Sequence, residues 1–496
     1  MTDHLLKREL SSLAFENKFA SLPDAFFTNL APTPLPSPYL VGVSKRMLAT
    51  TGLDISSVND ASFLEIFTGN KLGNNSYPLA SIYSGHQFGV WAGQLGDGRA
   101  ILLGDVAVTQ QSARMEIQLK GSGITPYSRM GDGRAVLRSS IREFLCSEAM
   151  AGLNIPTSRA LCLTGSDKYV MREQAETTAV LTRLAPSFIR FGSFEHWYYN
   201  NQPDQLQILA DFVIQNYFSE LQSNVNPYQA LLAEVTKRTA ELMAHWQSVG
   251  FMHGVMNTDN MSILGLTLDY GPFGFMEPYD PQHVCNHTDT QGRYAYDMQP
   301  QIGQWNCHAL GQAMLPLIGS IEETKVALSN YQRHYEEKFD QLLHQKFGLN
   351  EYLVQDKNLF DDFFTLMKKN HSDFTLSFRQ LGKLLKDNNS QDKYLRDLFI
   401  DRNALDHWLQ KYKFRLNQEQ SNDQQRQQTM QAVNPKYILR NYLAQIAIEK
   451  AQNKDFSEIE KLLKILECPF DEQPEHNNYA KLPPDWASKL EVSCSS

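Results

Sequence analysis

His253-Gly-Val-Met-Asn-Thr-Asp-Asn260, followed closely by Asp269-Tyr270-Gly271, is the stretch on which the reading of this chain turns. Asn260 and Asp269 are hard oxygen donors, the kind that holds Mg²⁺ together with nucleotide phosphates. Asp259 is a carboxylate able to take a proton from an acceptor hydroxyl, although an Asp so placed also caps turns. His253 is expected to orient the loop rather than react. The run Ile263 to Leu268 between the two ligand candidates is expected to form a short ribbon that brings both to the mouth of one cleft.

Working outward, Leu231, Leu232, Val235, Thr239, Leu242, Met243, Trp246 and Val249 repeat at helical spacing. Gly250 is the expected C′ residue, so the loop is carried by a buried helix. Upstream, Ala100 to Leu103 and Met115 to Leu119 read as strands. Lys120 closes the second, and Arg138 to Met150 has the spacing of a helix. An inward-facing Lys at a strand end needs an anion, and Glu143 in that helix is the natural one; the other reading of Lys120 is a solvated strand end. Gly96-Asp-Gly-Arg99 and Gly131-Asp-Gly-Arg134 are turns whose backbone can approach phosphate closely, though such a turn also serves an ordinary hairpin. Arg183 and Arg190 suit triphosphate oxygens if they converge on a cleft. Downstream, 320–415 carries amphipathic helices. Asn417 to Gln431 is Gln-rich and reads as a solvated helix end or loop, and Tyr437 to Lys450 reads as a helix.

The loop lies nearly residue for residue on the protein-kinase signature H-R-D-L-x-x-x-N plus D-F-G. The Asn and the second Asp are kept, Val255 replaces the kinase base, and an acid reappears as Asp259. A kinase proper would forfeit roughly 10²–10⁴-fold without that base. Lys120 likewise resembles the phosphate-gripping kinase lysine that pairs with a helix Glu. Strands followed by helices predict an α+β, protein-kinase-like fold of two lobes. The expected units are an N-terminal extension over 1–80, a nucleotide-binding lobe over 81–193, and a helical lobe over 194–496 with a C-terminal helical extension and a Cys tail.

Composition narrows the partners. The chain has 496 residues, 42% hydrophobic and 20% charged, with a formal net charge of -9. That balance favours neither nucleic acid nor an anionic membrane. No apolar run approaches the ~20 residues that span a bilayer, and Met1 to Leu22 lacks the apolar core of a signal peptide; a cytoplasmic location is expected. Six cysteines are scattered without a C-x-x-C pair, so no zinc site is expected. Cys494, third from the C-terminus, is the one placed for redox chemistry, although an inert tail thiol is the simpler reading.

Taken together the residues resemble the selenoprotein O family. The resemblance covers nearly the whole chain: Leu95 to Arg99, Leu119 to Arg134, Ile141 to Phe144, His253 to Asn260, Asp269 to Gly274, Asn286 to Asp289 and Asn434 to Leu443. It implies transfer of AMP rather than a phosphoryl group, with ATP bound in a flipped orientation. The partners it implies are ATP and proteins bearing Ser, Thr or Tyr hydroxyls, with Mg²⁺ or Mn²⁺. Carried over by motif, Lys120 and Arg183 hold phosphates, and Gly96, Gly98, Arg99, Asp132, Gly133, Arg190 and Asp269 line the nucleotide site. Glu143 positions Lys120, Asn260 and Asp269 bind the metal, and Asp259 is the proton acceptor. Cys494 stands where some members carry selenocysteine, and the resemblance suggests a redox link to Cys285. Two alternatives stay open: UMP transfer from UTP with Mn²⁺, and a catalytically inactive, redox-sensitive pseudokinase scaffold.

Overall fold

The computed structural model describes residues 9–108, 113–419 and 422–492. Its strands are β1 (Phe27–Asn29), β2 (Tyr39–Val43), β3 (Leu79–Ser81), β4 (Ser84–Gln87), β5 (Val90–Gln94), β6 (Ala100–Ala107), β7 (Arg114–Lys120), β8 (Ala135–Val136), β9 (Arg159–Met171), β10 (Ala175–Ala185), β11 (Phe251–Met252) and β12 (Gly274–Phe275). The main sheet runs β1-β3-β6-β7-β10-β9-β2, with β8 on β10. The segment before residue 82 therefore supplies strands at both edges. The pair β4–β5 stands apart as a two-stranded sheet.

Alternation along β7 decides what each face of the sheet does. Ile117 and Leu119 point to a fully buried core shared with α1 (Lys45–Thr51) and α2 (Ala61–Thr68) through Met47, Leu48, Phe63 and Phe67. Glu116, Gln118 and Lys120 take the opposite face. There α3 (Leu137–Gly152) packs with Ile141, Phe144 and Leu145 inward, and presents Glu143 toward β7.

From α4 (Phe191–Tyr199) and α5 (Pro203–Tyr217) onward the described chain is mainly helical. The expected buried helix is α6 (Pro227–Val249). Asn226 caps it by accepting from Gln229 N at 3.1 Å, Pro227 takes the first turn, and Gly250 ends it at φ 69°. Its whole stripe from Leu231 to Trp246 is buried, against α7 (Gln299–Ile318) among others. Trp246 then ties this helix to the loop that follows. Its ring stacks 5.3 Å from that of His253, and its Nε1 donates to Thr267 Oγ1 at 3.0 Å. Truncating so buried a Trp costs about 3–5 kcal/mol.

Two helix boundaries differ from expectation. The Gln-rich segment contains a formed helix, Asp423–Gln431, capped by Asn422 and anchored by buried Arg426 and Met430. The later helix starts at Asn441, not Tyr437. Residues 437–440 stay irregular because Arg440, extended at φ -64° and ψ 146°, donates to Asp373 Oδ2 at 2.8 Å, while Tyr437, Ile438 and Leu439 are buried without helix. Between Asn260 and Asp269 the expected ribbon is reduced to one antiparallel bridge, Met261 to Thr267; β11–β12 makes the nearby ladder. No helix among the described residues is long and apolar enough to cross a membrane.

Candidate active site

The catalytic-type loop is held from below by neutral hydrogen bonds. His253 is buried, which pushes its pKa down, so the neutral ring donates from Nε2 to Leu268 O at 2.7 Å. That is the orienting role its position implied. Asn257 Oδ1 accepts from Tyr294 Oη at 2.6 Å, and Asn260 Nδ2 donates to Val255 O at 3.0 Å. With its amide nitrogen so engaged, Asn260 presents Oδ1 as its remaining acceptor.

The residues singled out from sequence converge. Gly96, Gly98, Arg99, Lys120, Asp132, Gly133, Glu143, Arg183, Arg190, Asp259, Asn260 and Asp269 all line one cleft of about 430 Å³. At its charged end, Lys120 Nζ lies 2.5 Å from Glu143 Oε2 and 3.6 Å from Asp269 Oδ1. Arg183 reaches Glu143 Oε1 at 3.1 Å and Asp269 Oδ1 at 2.5 Å, and Arg190 pairs with Asp269 Oδ2. Burial alone would raise the Asp269 carboxyl, but Arg190, Arg183 and Lys120 together hold it well below the usual carboxylate range. Lys120 is pushed down by burial and pulled back by Glu143.

The two glycine turns are not hairpins. Gly96 to Gly98 links β5 to β6, which belong to different sheets. It interlocks with the second loop, where Thr125 Oγ1 donates to Asp97 O at 2.8 Å and Ser128 Oγ to Gly98 O. Gly133 sits at φ 69° where a Cβ would stand 2.2 Å from Gly123, so no side chain fits. Asp132 is held by Arg172 through two contacts of 2.9 Å.

Asn260 and Asp269 fit a divalent cation of the Mg²⁺ type. Among the described residues no group of three or more His, Cys, Asp or Glu side chains forms a protein-only cage. Two hard oxygen donors completed by phosphate and water are what Mg²⁺ tolerates well. Both Asp269 oxygens accept from arginines here, and each carboxylate oxygen has a second lone pair with which a cation could be met.

Asp259 adjoins this web through Arg190. Its backbone O accepts from Arg190 at 2.7 Å, its Oδ2 accepts from Gln87 Nε2 at 3.2 Å, and its Oδ1 is buried without a hydrogen bond. Burial pushes its carboxyl up to about 6 against the pull of Arg190. Several residues here carried no signal in the sequence reading. Gln118 Oε1 accepts from Arg183 and Gln118 Nε2 donates to Asp97 at 3.3 Å. Thr258 Oγ1 accepts from His86 N at 2.7 Å and donates to Glu195 Oε2. Neutral residues and a distant Glu give no pattern; only the i, i+2 relation of Gln118 to Lys120 could have pointed to one of them.

Cys285 is outside the cleft lining but adjacent to it, its Sγ donating at 2.9 Å to the carbonyl of Pro272. Cys494 lies outside the described residues.

Comparison with known proteins gives the family. The family described as protein adenylyltransferase SelO matches residues 9–467. The chain is 63% identical over 489 residues, 98% of each chain, to the protein nucleotidyltransferase YdiU of Herminiimonas arsenicoxydans. It is 54% identical over 488 residues, 97% of each chain, to the protein of the same name from Dechloromonas aromatica. The kinase-like α+β fold, the converged cleft and matches of this length together place the chain in the protein adenylyltransferase SelO family, a family of nucleotidyltransferase enzymes.

Proposed function

We propose that this chain transfers AMP from ATP to Ser, Thr or Tyr hydroxyls of protein substrates and releases pyrophosphate. The observation that carries the reading is the convergence in one cleft of Lys120, Arg183 and Arg190, the donors Asn260 and Asp269, and a carboxylate, Asp259, while position 255 holds Val. Nucleotidyl transfer asks for positioning and charge neutralisation more than for covalent catalysis. Lys120, Arg183 and Arg190 supply cations for the triphosphate, and their present anions, Glu143 and Asp269, keep them in place until it arrives. Asn260 and Asp269 would hold Mg²⁺ or Mn²⁺, which screens the phosphate charge. Asp259 takes the acceptor proton as the acceptor oxygen bonds to the α-phosphorus; the bond to the bridging oxygen breaks and pyrophosphate leaves with the electron pair. A carboxyl with a pKa of about 6 is mostly ionised at neutral pH and is a stronger base than an ordinary Asp. The family description supports AMP as the group transferred.

The test runs α-labelled ATP and α-labelled UTP side by side on an acceptor protein, each with Mg²⁺ and with Mn²⁺. Label from ATP is expected; label from UTP alone would replace AMP by UMP.

A redox link belongs to the same proposal. Val492 O accepts from His287 N at 3.0 Å. That contact is two residues from Cys285 along one strand of sequence and two from Cys494 along the other, a short reach for a disulfide. On oxidation the two thiols would give two electrons and two protons to the oxidant and form Cys285–Cys494. Tryptic mapping of air-oxidised protein should recover the linked peptide; its absence would end this part of the proposal.

A further inference from the structure

The end of β4 and the residue after it bond three consecutive residues of the catalytic loop. His86 N donates to Thr258 Oγ1 at 2.7 Å, Gln87 Nε2 to Asp259 Oδ2 at 3.2 Å, and Phe88 N to Asn257 Oδ1 at 3.1 Å. The strand itself is braced from α4, where buried Glu195 binds His86 Nδ1 at 2.6 Å and accepts from Thr258 Oγ1. Gly85 makes the close approach possible. A Cβ there would lie 3.0 Å from Asp259 Oδ1 and 3.0 Å from Thr258 Oγ1. Gly192 plays the same part behind the loop, where a Cβ would meet Ser84 O at 2.1 Å and Asp259 Cα at 3.4 Å.

The two oxygens of Asp259 are thus treated differently. Oδ1 is lodged under Gly85, buried and without a hydrogen bond. Oδ2 accepts one hydrogen bond, from an amide that itself lines the cleft. A carboxylate oxygen has a second lone pair. We propose that Gln87 is a positioning residue for the acceptor step: its amide holds Oδ2 of Asp259 toward the cleft while Gly85 seats Oδ1, leaving one lone pair of Oδ2 for the acceptor hydroxyl.

The side chain suits the task. A lysine at 87 would pair with the carboxylate and weaken it as a base, and a glutamate would repel it. A neutral amide donates one directed bond and adds no charge. The inference rests on the reading of Asp259 as proton acceptor and adds to it the group that aims that acceptor.

The test compares Gln87→Met, Asp259→Asn and the double variant in transfer of label from α-labelled ATP to dephosphorylated casein, with ATP affinity measured separately by fluorescence of a labelled analogue. Met keeps the length of Gln and removes the amide. Gln87→Met is expected to lower kcat about 10- to 100-fold, with KM for ATP changed by less than about 2-fold. The double variant should be no slower than Asp259→Asn, because an aiming residue has nothing left to aim. Gln87→Glu, nearly the same shape but either repelling Asp259 or sharing a proton with it, should lose at least as much as Gln87→Met. Wild-type kcat in Gln87→Met, or a double variant that loses the product of the single losses, overturns the inference while leaving Asp259 in its role. Wild-type turnover in Asp259→Asn overturns the role of Asp259 instead.

Discussion

The two carboxylates that Arg190 joins, Asp269 and Asp259, stand at ends of one network built on opposite principles. At one end Lys120, Arg183 and Arg190 share Glu143 and Asp269 in a web of ion pairs, with Gln118 taking up a further guanidinium contact. Every charge there already has an opposite charge. At the other end one carboxylate, Asp259, is buried with an oxygen that accepts nothing, and it is kept in place by an amide, a backbone contact and the missing side chain of Gly85. The first end sets three cations against two carboxylates and so suits a further anion. The second is a base that burial keeps reactive against the pull of Arg190.

Breaking the charged end should do the most. Asp269→Asn is expected to lower turnover by about 10³-fold or more, since it removes a metal donor and an electrostatic anchor together. The same change frees Arg183 and Arg190, so metal-free ATP should bind about 10-fold more tightly than to wild type, a difference calorimetry can read. A web that merely stiffens the fold would give the first result without the second.

Breaking the other end should separate chemistry from binding. Asp259→Asn is expected to lower kcat roughly 10²–10⁴-fold with ATP affinity unchanged, checked by initial rates and equilibrium binding. Glu143→Gln sharpens the contrast from the stability side. It leaves Lys120 and Arg183 buried beside a single remaining carboxylate, and should cost about 3–5 kcal/mol in chemical denaturation. Gln87→Met, on an intermediate surface at the neutral end, should leave the melting temperature nearly unmoved.

A buried cation outside the cleft gives the control. Lys346 donates to Asn434 Oδ1 at 2.8 Å and lies 4.2 Å from the centre of the Phe378 ring. Burial pushes its pKa down from 10.5 to about 7. Between those values the unfolded chain holds a proton that the folded chain lacks, so this group adds stability as pH rises from about 7 toward 10.5. Unfolding free energy measured from pH 7 to pH 9 should climb more steeply for wild type than for Lys346→Met. Equal slopes would show that an amide and an aromatic ring hold the ammonium as well as Glu143 holds Lys120.

The same contrast explains what the sequence made legible. Charged residues at strand ends and in Gly-rich turns announce themselves, and all twelve of the cleft residues named from sequence line the cleft. Apolar runs located β6 and β7 and helical spacing located α3 and α6, although β6 and α3 are buried nearly throughout. Gln87, Thr258 and Glu195 stayed silent because their meaning lies in contacts across more than sixty residues of chain. The two misjudged helix boundaries have the same origin. Residues 437–440 look helical by spacing, yet Arg440 is drawn out to Asp373. In the Gln-rich segment the Asn422 cap and the burial of Arg426 and Met430 that stabilise the helix appear only in the structure.

The most direct measurement of the account incubates the reduced protein with divalent metal and a generic acceptor protein, once with α-labelled and once with γ-labelled ATP, beside Asp269→Ala. The account predicts label on the acceptor from α-labelled ATP only, and none with the variant. Label from γ-labelled ATP only would make the chain a phosphoryl-transfer enzyme despite Val255, and would contradict the role given to Asp259.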